Sequence, residues 1–378
     1  MKIIFWISTS LILYTYFVYP AILLLFRRHG SIAHKAAEYE PEVSLVVSAY
    51  NEEKVIAEKI ENLLTLDYPK GKLEIIIASD GSSDWTDAIV ARYHSAGVKL
   101  IRINERSGKI NALNTVIPVL KGKIVVLSDA NTFYERDAIK KIVRNFEDSK
   151  TGCACGELKY RNLAENEVES LEGFYWRYEQ FLKRIEGGRG ALLGANGGIY
   201  AIRKELFEPL PANTLVEDFV LPMKILEKGH KVVYEAEAVA YEETSKKIVQ
   251  EMERRIRIGA GDFQALSFTW RMLNPVHGFA AFAYLSHKVI RWFVPFFLII
   301  ALVSNVALLN NGLYLMIFAM QGAFYALAIL GRTLSKLNMH IRMAGLPYYF
   351  VSMNIALFFG FIRFCTGSQS VTWKRTER

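Results

Sequence analysis

The chain has 378 residues, of which 52% are hydrophobic and 22% charged, with 46 Lys+Arg against 38 Asp+Glu and a net charge of +8. This composition excludes an intrinsically disordered chain, a collagen-like repeat and a small disulfide scaffold. The charges are unevenly spread, because residues 3–26, 293–331 and 343–362 contain no Asp, Glu, Lys or Arg. The pattern predicts a soluble domain attached to membrane segments.

The first uncharged stretch, residues 3–26, is long enough for one membrane helix, since about 20 apolar residues cross the hydrocarbon core. It lacks the strongly basic start and the short apolar centre of a cleaved signal peptide. Basic residues follow it at Arg27, Arg28 and Lys35, and positive charge favours the cytoplasmic side. We therefore expect a retained helix in the cell (inner or plasma) membrane, followed by a cytoplasmic domain.

The C-terminal part of the chain predicts a multi-pass protein. Residues 293–331 are long enough for two crossings, divided at residues 310–312, and residues 343–362 form a shorter candidate. A fourth crossing would place the basic tail outside, against the positive-inside trend. Two alternatives stay open here: the last segment is re-entrant or interfacial, or the preceding helices override the tail charges.

Residues 277–291 mix His and basic side chains with aromatic ones, which is typical of a helix lying in the membrane interface. A surface helix of the soluble domain is the alternative. The expected organisation has four parts: a transmembrane helix over 1–30, a soluble domain over 38–266, interfacial helices over 267–291, and a region of two to three crossings with a basic tail over 292–378.

The soluble part is mildly acidic, since residues 38–262 carry 32 Lys+Arg and 37 Asp+Glu. The positive net charge belongs to the membrane-flanking segments, where it can orient helices and meet lipid headgroups. A nucleic-acid partner, which would need a basic face on this domain, is therefore not expected. The three cysteines, Cys153, Cys155 and Cys365, fit neither a disulfide framework nor zinc spacing, and we expect buried reduced thiols.

Short β-branched runs alternate with helical patterns from about residue 41 to residue 130. The strand-like runs are Val43–Ala49, Leu73–Ser79, Val98–Ile103 and Ile124–Ser128, and the helical stretches lie near Glu53–Leu66, Ser83–His94 and Gly108–Leu120. Such alternation predicts an α/β fold with a doubly wound, mostly parallel sheet.

Polar side chains follow three of these strands, at the edge where ligands bind in such sheets. They are Tyr50, Asn51 and Glu52 after the first strand, Asp80 after the second, and Asp129 and Asn131 after the fourth. We expect them to converge on one crevice. The chain contains neither G-x-G-x-x-G after the first strand nor G-x-x-x-x-G-K-[ST], so a dinucleotide dehydrogenase and a P-loop NTPase are disfavoured.

Asp129 and Asn131 are two oxygen-bearing side chains at i and i+2 in extended backbone, which places them on one side of the chain. That arrangement suits a hard divalent ion, Mg²⁺ or Mn²⁺, which also takes phosphate oxygens. Capping of the following helix is the alternative. Asp80, at a strand end, could hold a base or ribose edge of a nucleotide, whereas Asp84 fits a helix-capping role.

Three further charged groups are candidates for chemistry. Glu217 and Asp218 precede an apolar helix, and adjacent carboxylates in a cleft can raise one pKa enough to make a general base; stabilisation of the helix dipole is the alternative. Arg254 and Arg257 lie on a predicted helix and could stabilise a phosphate leaving group, if they are not a surface charge run. Lys109 opens another helix, whose N-terminus attracts phosphate.

Together these motifs resemble the family 2 glycosyltransferases of the membrane-bound, hyaluronan-synthase-like and cellulose-synthase-like branch, from about Val43 to Leu266. The matching strings are Val-Ser-Ala-Tyr-Asn-Glu-Glu (47–53), Ser-Asp-Gly-Ser-Ser-Asp (79–84), Gly-Lys-Ile-Asn-Ala-Leu-Asn (108–114), Asp-Ala-Asn (129–131), Gly-Ala-Asn-Gly-Gly (194–198) and Val-Glu-Asp (216–218). The resemblance implies a GT-A fold, a UDP-linked nucleotide-sugar donor, and Asp218 as the catalytic base. It also implies Asp129 and Asn131 as the metal motif and Asn196 and Gly197 beside the donor sugar.

Two positions depart from the family pattern. Asn131 replaces the last Asp of the D-x-D metal motif, which weakens the ligand set. The processive members carry Q-x-x-R-W, whereas Arg254, Arg257 and Ile258 stand here, so that only the Arg is kept. The Trp of that motif forms the acceptor platform in the synthases, and its absence puts processive synthesis in doubt.

The sequence thus predicts an inverting membrane glycosyltransferase that uses Mg²⁺ or Mn²⁺ and acts on a glycan or lipid-linked acceptor in polysaccharide or glycolipid synthesis. Asp218 and Arg257 are the expected catalytic residues. A processive synthase that extrudes its own polymer is the first alternative. A non-catalytic membrane subunit that binds a nucleotide sugar is the second.

Overall fold

The computed structural model of the chain describes residues 1–25, 39–160, 171–242, 248–337 and 342–372. The first uncharged stretch forms one helix, α1 (Lys2–Leu25), with a π-helical turn at Tyr14–Val18. Its apolar residues are largely exposed at the start, whereas Tyr19 and Leu23 near its end are fully buried against the rest of the chain.

The β-branched runs of the first half form parallel strands. They are β1 (Val43–Ala49), β2 (Leu73–Asp80), β3 (Val98–Ile103) and β4 (Ile124–Asp129), and the helices between them are α2 (Ile56–Leu64), α3 (Thr86–Ala91) and α4 (Lys109–Val116). Each predicted strand agrees with the structure to within one residue. The helices are shorter than predicted at both ends, because turns and single 3₁₀ turns occupy their margins.

The second half adds strands of both directions. Its elements are β5 (Thr132–Tyr134), α5 (Ala138–Val143), β6 (Thr151–Tyr160), α6 (Leu171–Gly188), β7 (Tyr200–Arg203), α7 (Glu217–Glu227), β8 (Lys231–Glu242) and α8 (Ile248–Thr269). Within the described residues the sheet has the order β3-β2-β1-β4-β7-β6-β8-β5. Strand β7 runs antiparallel to β4 and β6, and β5 runs antiparallel to β8. The predicted α/β class is confirmed.

Alternate side chains of the central strands enter two apolar layers, one on each face of the sheet. Val46, Ile76 and Val125 belong to one layer, and Leu45 and Ile77 to the other. Burial on both faces explains why these strands are continuous apolar runs rather than alternating ones. Cys153 and Cys155 are buried free thiols in this core, as expected, whereas Cys365 is exposed, contrary to that expectation.

The C-terminal region consists of α9 (Phe279–Trp292), α10 (Val294–Val306), α11 (Gly312–Lys336) and α12 (Arg342–Thr366). In the described part of the chain, α1, α11 and the Met343–Thr366 part of α12 are long and apolar enough to cross a membrane. The α9–α10 pair is bent by 58° and could make a fourth span or a re-entrant loop. Of the two crossings predicted in residues 293–331, only α11 is long enough by itself.

The basic side chains of α9 face inward rather than toward a membrane surface. Glu179 of α6 accepts from Lys288 Nζ at 2.7 Å and from Arg291 Nη1 at 3.0 Å. Glu186, about two turns further along α6, lies 2.7 Å from His287 Nδ1 and accepts from the Tyr19 hydroxyl at 2.7 Å. Helix α9 is therefore tied to α6 through buried ion pairs, and Glu186 links both helices to α1 through the Tyr19 hydroxyl. Lys288 and Arg291 thus point toward protein, whereas Arg271, earlier in the predicted interfacial segment, is exposed.

Helix α12 packs along α8, which follows the last strand of the sheet. The Arg363 guanidinium pairs with Glu253 at 2.8 Å, and Gly360 lies so close to α8 that a Cβ there would meet the Ala260 nitrogen at 2.7 Å. Beyond α12, Val371 lies against Gly108, at the start of α4. The described end of the chain thus returns to the domain formed by the sheet. This contact fits α11 and α12 both crossing with the α9–α10 pair as a re-entrant loop, and it fits equally a last segment that does not cross while the α9–α10 pair does.

Candidate active site

The loop after β1 is fastened to the loop after β2. Asn51 has a left-handed backbone conformation (φ 54°), which Asn tolerates, and its Oδ1 accepts from the Ser83 amide at 2.8 Å. The Asn51 amide donates to Ser82 Oγ at 3.1 Å. The Tyr50 ring lies under the Arg106 guanidinium, 3.8 Å from its carbon. The structure therefore brings residues 50–52, the Asp80 turn and the loop before α4 together at one sheet edge.

Asp84 directly precedes Trp85, the N-cap residue of α3. Its Oδ1 accepts from the Thr86 amide at 3.0 Å, and its Oδ2 accepts from the Glu53 amide at 3.1 Å. The Glu52 amide in turn donates to the Thr86 hydroxyl at 2.7 Å. Asp84 therefore joins the loop after β1 to the start of α3, and it is not the N-cap residue itself.

Asp80 is buried at the end of β2 and holds the loop that leads into α4. Its Oδ1 accepts from the Ser107 amide at 2.8 Å, and its Oδ2 accepts from the Gly108 amide at 2.8 Å. Gly81 allows this approach, because its φ is +67° and a Cβ there would meet the Arg106 nitrogen at 2.5 Å. Asp80 thus anchors the loop; its predicted contact with a nucleotide stays a prediction.

Lys109, the first residue of α4, lies between two carboxylates. Its Nζ is 2.7 Å from Asp129 Oδ1 and 2.7 Å from Glu217 Oε1. Burial opposes the charge, yet the two carboxylates together hold the pKa of Lys109 above its ordinary value. The ion pairs join the end of β4 to the start of α7, so that motifs 88 residues apart share one cation.

Asp218 lies next to this pair at the start of α7. Burial, reinforced by the neighbouring Glu217 carboxylate, raises the pKa of Asp218 to about 6. Gly197 faces both Asp218 and Asp129: a Cβ on this glycine would stand 3.1 Å from Asp218 Oδ2 and 3.6 Å from Asp129 Oδ2. The carboxylates of Asp218 and Asp129 therefore border one small space, which stays open because Gly197 has no side chain.

The glycine-rich stretch 194–198 is held from three directions. The Ala195 amide donates to the Asp218 carbonyl at 2.8 Å, and the Asn196 side chain donates to the Gly156 carbonyl at 2.8 Å. Lys183 of α6 donates from its Nζ to Asn196 Oδ1 at 2.6 Å. Lys183 also lowers the pKa of Asp218, against the larger effects of burial and Glu217. Sequence reasoning missed Lys183, since no motif surrounds it.

The arginines of α8 separate into two groups. Arg257 lies near the carboxylates: burial lowers the pKa of its guanidinium, while Glu217 and Asp218 oppose that effect. Arg254 is exposed one turn earlier on the same helix. Arg255 instead lies over the Tyr349 ring of α12, 4.9 Å from its centroid. The structure thus brings Arg257 to the site, leaves Arg254 at the surface nearby, and assigns Arg255 to packing.

The predicted metal ligands form a partial set. Asp129 presents its carboxylate beside Lys109, and Asn131 donates from its side-chain nitrogen to Glu242 Oε1 at 2.8 Å, so that its carbonyl oxygen is the atom suited to a cation. Among the described residues no group of three or more His, Cys, Asp or Glu side chains is placed to hold a metal ion. The donor set fits a Mg²⁺ or Mn²⁺ that takes one or two protein oxygens and completes its shell with phosphates and water. It does not fit an all-protein cage.

A mixed α/β sheet with carboxylates, a lysine and a glycine-rich stretch at its strand ends defines a class of group-transfer domain. Residues 44–210 match the family model described as Glycosyl transferase family 2. The mannosyltransferase PcManGT from Pyrobaculum calidifontis, solved in complex with GDP-Man and Mn²⁺, superposes with a TM-score of 0.75 at 22% identity, covering 97% of this chain and 100% of that chain. The fold is therefore the predicted GT-A fold, and residues 44–210 are similar to the family 2 glycosyltransferases.

Curated relatives match part of the chain. A beta-monoglucosyldiacylglycerol synthase of Trichormus variabilis is 34% identical over 164 residues, 41% of this chain and 34% of its own length. A poly-beta-1,6-N-acetyl-D-glucosamine synthase of Staphylococcus aureus is 26% identical over 231 residues, 59% of this chain and 55% of its own length. The chain thus spans about a third to a half of the length of these relatives.

Proposed function

We propose that the chain is an inverting glycosyltransferase, attached to the cell membrane, that moves a sugar from a nucleotide-diphosphate sugar to a glycan or lipid-linked acceptor. The observation that carries the proposal is the shared space between Asp218 and Asp129 at Gly197, with Lys109 bridging Asp129 and Glu217. An acyl or hydride transfer would leave this arrangement of carboxylates and cations without a use.

The donor would bind across the ends of β1, β2 and β4. Tyr50, Asn51 and Glu52 would border the nucleoside, with Asp80 fixing the loop before α4. The N-terminus of α4 offers backbone amides and a favourable dipole to the diphosphate. Asn196 and Gly197 would lie beside the donor sugar. A UDP-linked donor stays our expectation; the solved mannosyltransferase holds GDP-Man, so both nucleotides belong in the test.

Asp218 would act as the general base. Its pKa of about 6 leaves it ionised at neutral pH but basic enough to accept a proton in the transition state. The acceptor hydroxyl oxygen forms a bond to the anomeric carbon as its proton passes to Asp218. The bond from the anomeric carbon to the diphosphate oxygen breaks, the nucleoside diphosphate leaves, and attack from the opposite face inverts the anomeric configuration.

The leaving diphosphate would meet two half-buried cations: Lys109, which Asp129 and Glu217 hold in place, and Arg257, which lies near Glu217 and Asp218. Glu217 keeps Lys109 in place, and Arg254 could reach an extended diphosphate or acceptor from the surface. Asp129 and Asn131 would hold Mg²⁺ or Mn²⁺, which when bound supplies charge neutralisation on the diphosphate.

The acceptor would approach from the membrane side, because α8, which carries Arg257, packs against α12. The named relatives make a glycolipid and a polysaccharide, and both acceptor types suit this position. We place the domain on the cytoplasmic side, where nucleotide sugars are available, with lipids around α1 and α11.

The test uses membranes that contain the full chain, assayed against UDP- and GDP-sugars with Mg²⁺, Mn²⁺ or chelator. Metal-dependent release of nucleoside diphosphate is expected from at least one donor, and Asp129→Ala should abolish it, whereas Asp148→Ala, at an exposed ion pair with Lys231, should not. Donor binding without release would favour the non-catalytic subunit. A product ladder of high mass, instead of single additions, would favour the processive synthase.

A further inference from the structure

A lysine is fully buried beneath the Asp129 loop, on a helix that no motif marks. Lys59 of α2 has no exposed surface and shares its inner face with Ile56, Ile60 and Leu63. The spacing of that face predicts an apolar side chain at residue 59. A buried charge is costly unless polar partners compensate it, so the contacts of this ammonium show what it is there to hold.

The Lys59 ammonium bonds to both ends of the segment that carries the metal motif. Its Nζ donates to Ser128 Oγ at 2.8 Å, directly before Asp129, and to the carbonyl of Thr132, directly after Asn131. The Ser128 hydroxyl itself donates to the Asp129 carbonyl at 3.2 Å. The Lys59 side chain therefore bonds to both ends of the turn 128–132.

The same helix holds the strand that follows. Lys59 also lies over the Tyr134 ring, 4.3 Å from its centroid. Asn62, three residues later on the same face, donates to the Tyr134 carbonyl at 2.9 Å and accepts from the Tyr134 amide at 2.8 Å. The Tyr134 hydroxyl reaches the Gly198 carbonyl at 3.0 Å. Helix α2 thus links the Asp129 turn, β5 and the glycine-rich stretch.

We infer that Lys59 is a positioning residue, whose buried ammonium fixes the turn 128–132 so that Asp129 and Asn131 present their oxygens to the diphosphate side of the cleft. The part of this inference that concerns diphosphate binding rests on the proposed function; the part that concerns the turn does not.

The test compares Lys59→Met, which keeps the side-chain length without the charge, with Lys54→Met, the same change at an exposed lysine before α2. Replacing a buried charge with an apolar side chain of similar volume is often neutral or stabilising overall, so the variant should fold. Hydrogen exchange of the full chain in detergent should then be faster by about tenfold or more in residues 128–134 alone, because hydrogen bonds from a charged donor are lost.

Unchanged exchange in residues 128–134 of Lys59→Met, or an increase spread equally over β1 to β4, would overturn the inference.

A second experiment measures nucleotide-sugar binding as a function of Mn²⁺ concentration. Lys59→Met should need several-fold more Mn²⁺ for half-maximal binding, and Lys54→Met should match the wild type; equal Mn²⁺ requirements would contradict the ligand-positioning role. If the wild type binds no nucleotide sugar, the proposed function fails, and the exchange measurement still decides whether Lys59 fixes the turn.

Discussion

Lys109 and Asp129 form an ion pair, with 2.7 Å between Nζ and Oδ1, at a point where two separate motifs of the chain meet. The lysine begins α4 and the aspartate ends β4, and the parallel pairing of β1 with β4 brings both to the same edge. In the proposed reaction the Lys109 ammonium lies beside the leaving diphosphate. It also offsets the repulsion between the Asp129 and Glu217 carboxylates.

Replacing Lys109 with Met removes the cation between Asp129 and Glu217. We expect nucleoside diphosphate release to fall by about a hundredfold or more, the usual loss when one charge-stabilising group of a transition state is deleted. Lys121→Met, at an exposed lysine, is the control for the lost positive charge. Wild-type turnover in Lys109→Met would show that the lysine does no more than neutralise its two neighbours.

The rate should follow the ionisation of Asp218. Because the base must be deprotonated to accept a proton and its pKa is about 6, kcat/KM should fall about tenfold per pH unit below that value. Lys183 lowers the pKa of Asp218, so Lys183→Met should move the acid limb to higher pH. The exposed Lys159→Met should leave the limb in place. An acid limb unmoved by Lys183→Met would contradict the electrostatic link.

Gly197→Ala tests whether the space between the two carboxylates is needed. The added methyl group would stand 3.1 Å from Asp218 Oδ2 and 3.6 Å from Asp129 Oδ2, which is tight enough to shift either group. We expect a loss of turnover of at least about tenfold, as for other displacements of catalytic groups, with an unchanged melting temperature. Gly71→Ala, where nothing lies within 4 Å of the new atom, should behave as the wild type. Full activity of Gly197→Ala would remove this space from the mechanism.

Much of this site could be predicted from the sequence, because its groups follow strands whose β-branched runs are strong local signals. Asp80 and Asp129 end two such strands, and parallel pairing brings those ends to one edge. Asp218 instead begins α7, where adjacent acids before an apolar helix were the signal. Lys59 and Lys183 could not be predicted from local pattern, since a lysine on a helix is ordinarily exposed and only packing turned these two inward. The apolar spacing around Lys59 was the one available signal.

In the membrane region, too, local sequence patterns predicted the positions of helices but not the contacts between them. The uncharged stretches gave the positions of α1, α11 and α12 correctly, because length and apolarity are local properties. The inward-facing charges of α9 were not foreseen, since His287, Lys288 and Arg291 find their partners on α6, more than a hundred residues earlier. A basic, aromatic helix has the same composition whether it lies on lipid or on protein.

The position of Val371 against Gly108 leads to a prediction about topology. Because the described end of the chain touches the domain that holds the site, a reporter fused after Arg378 should be active on the same side of the membrane as that domain. The check is a pair of reporters, one active only in the cytoplasm and one only outside, each fused at this end. Activity of the outside reporter alone would show that the contact between Val371 and Gly108 does not exist in the membrane.

The central claim is that Asp218 takes the acceptor proton, and Asp218→Asn measures it most directly. The amide keeps the shape but has no basic oxygen, and it removes a carboxylate whose ionisation burial opposes. Since the folded-state pKa of Asp218 is raised to about 6, its stability contribution is lost as pH rises toward neutrality. The variant should therefore melt at or above the wild-type temperature at pH 7.5. We predict wild-type affinity for the donor and nucleoside diphosphate release reduced by about a hundredfold to ten-thousandfold; donor binding with undiminished release would contradict the account.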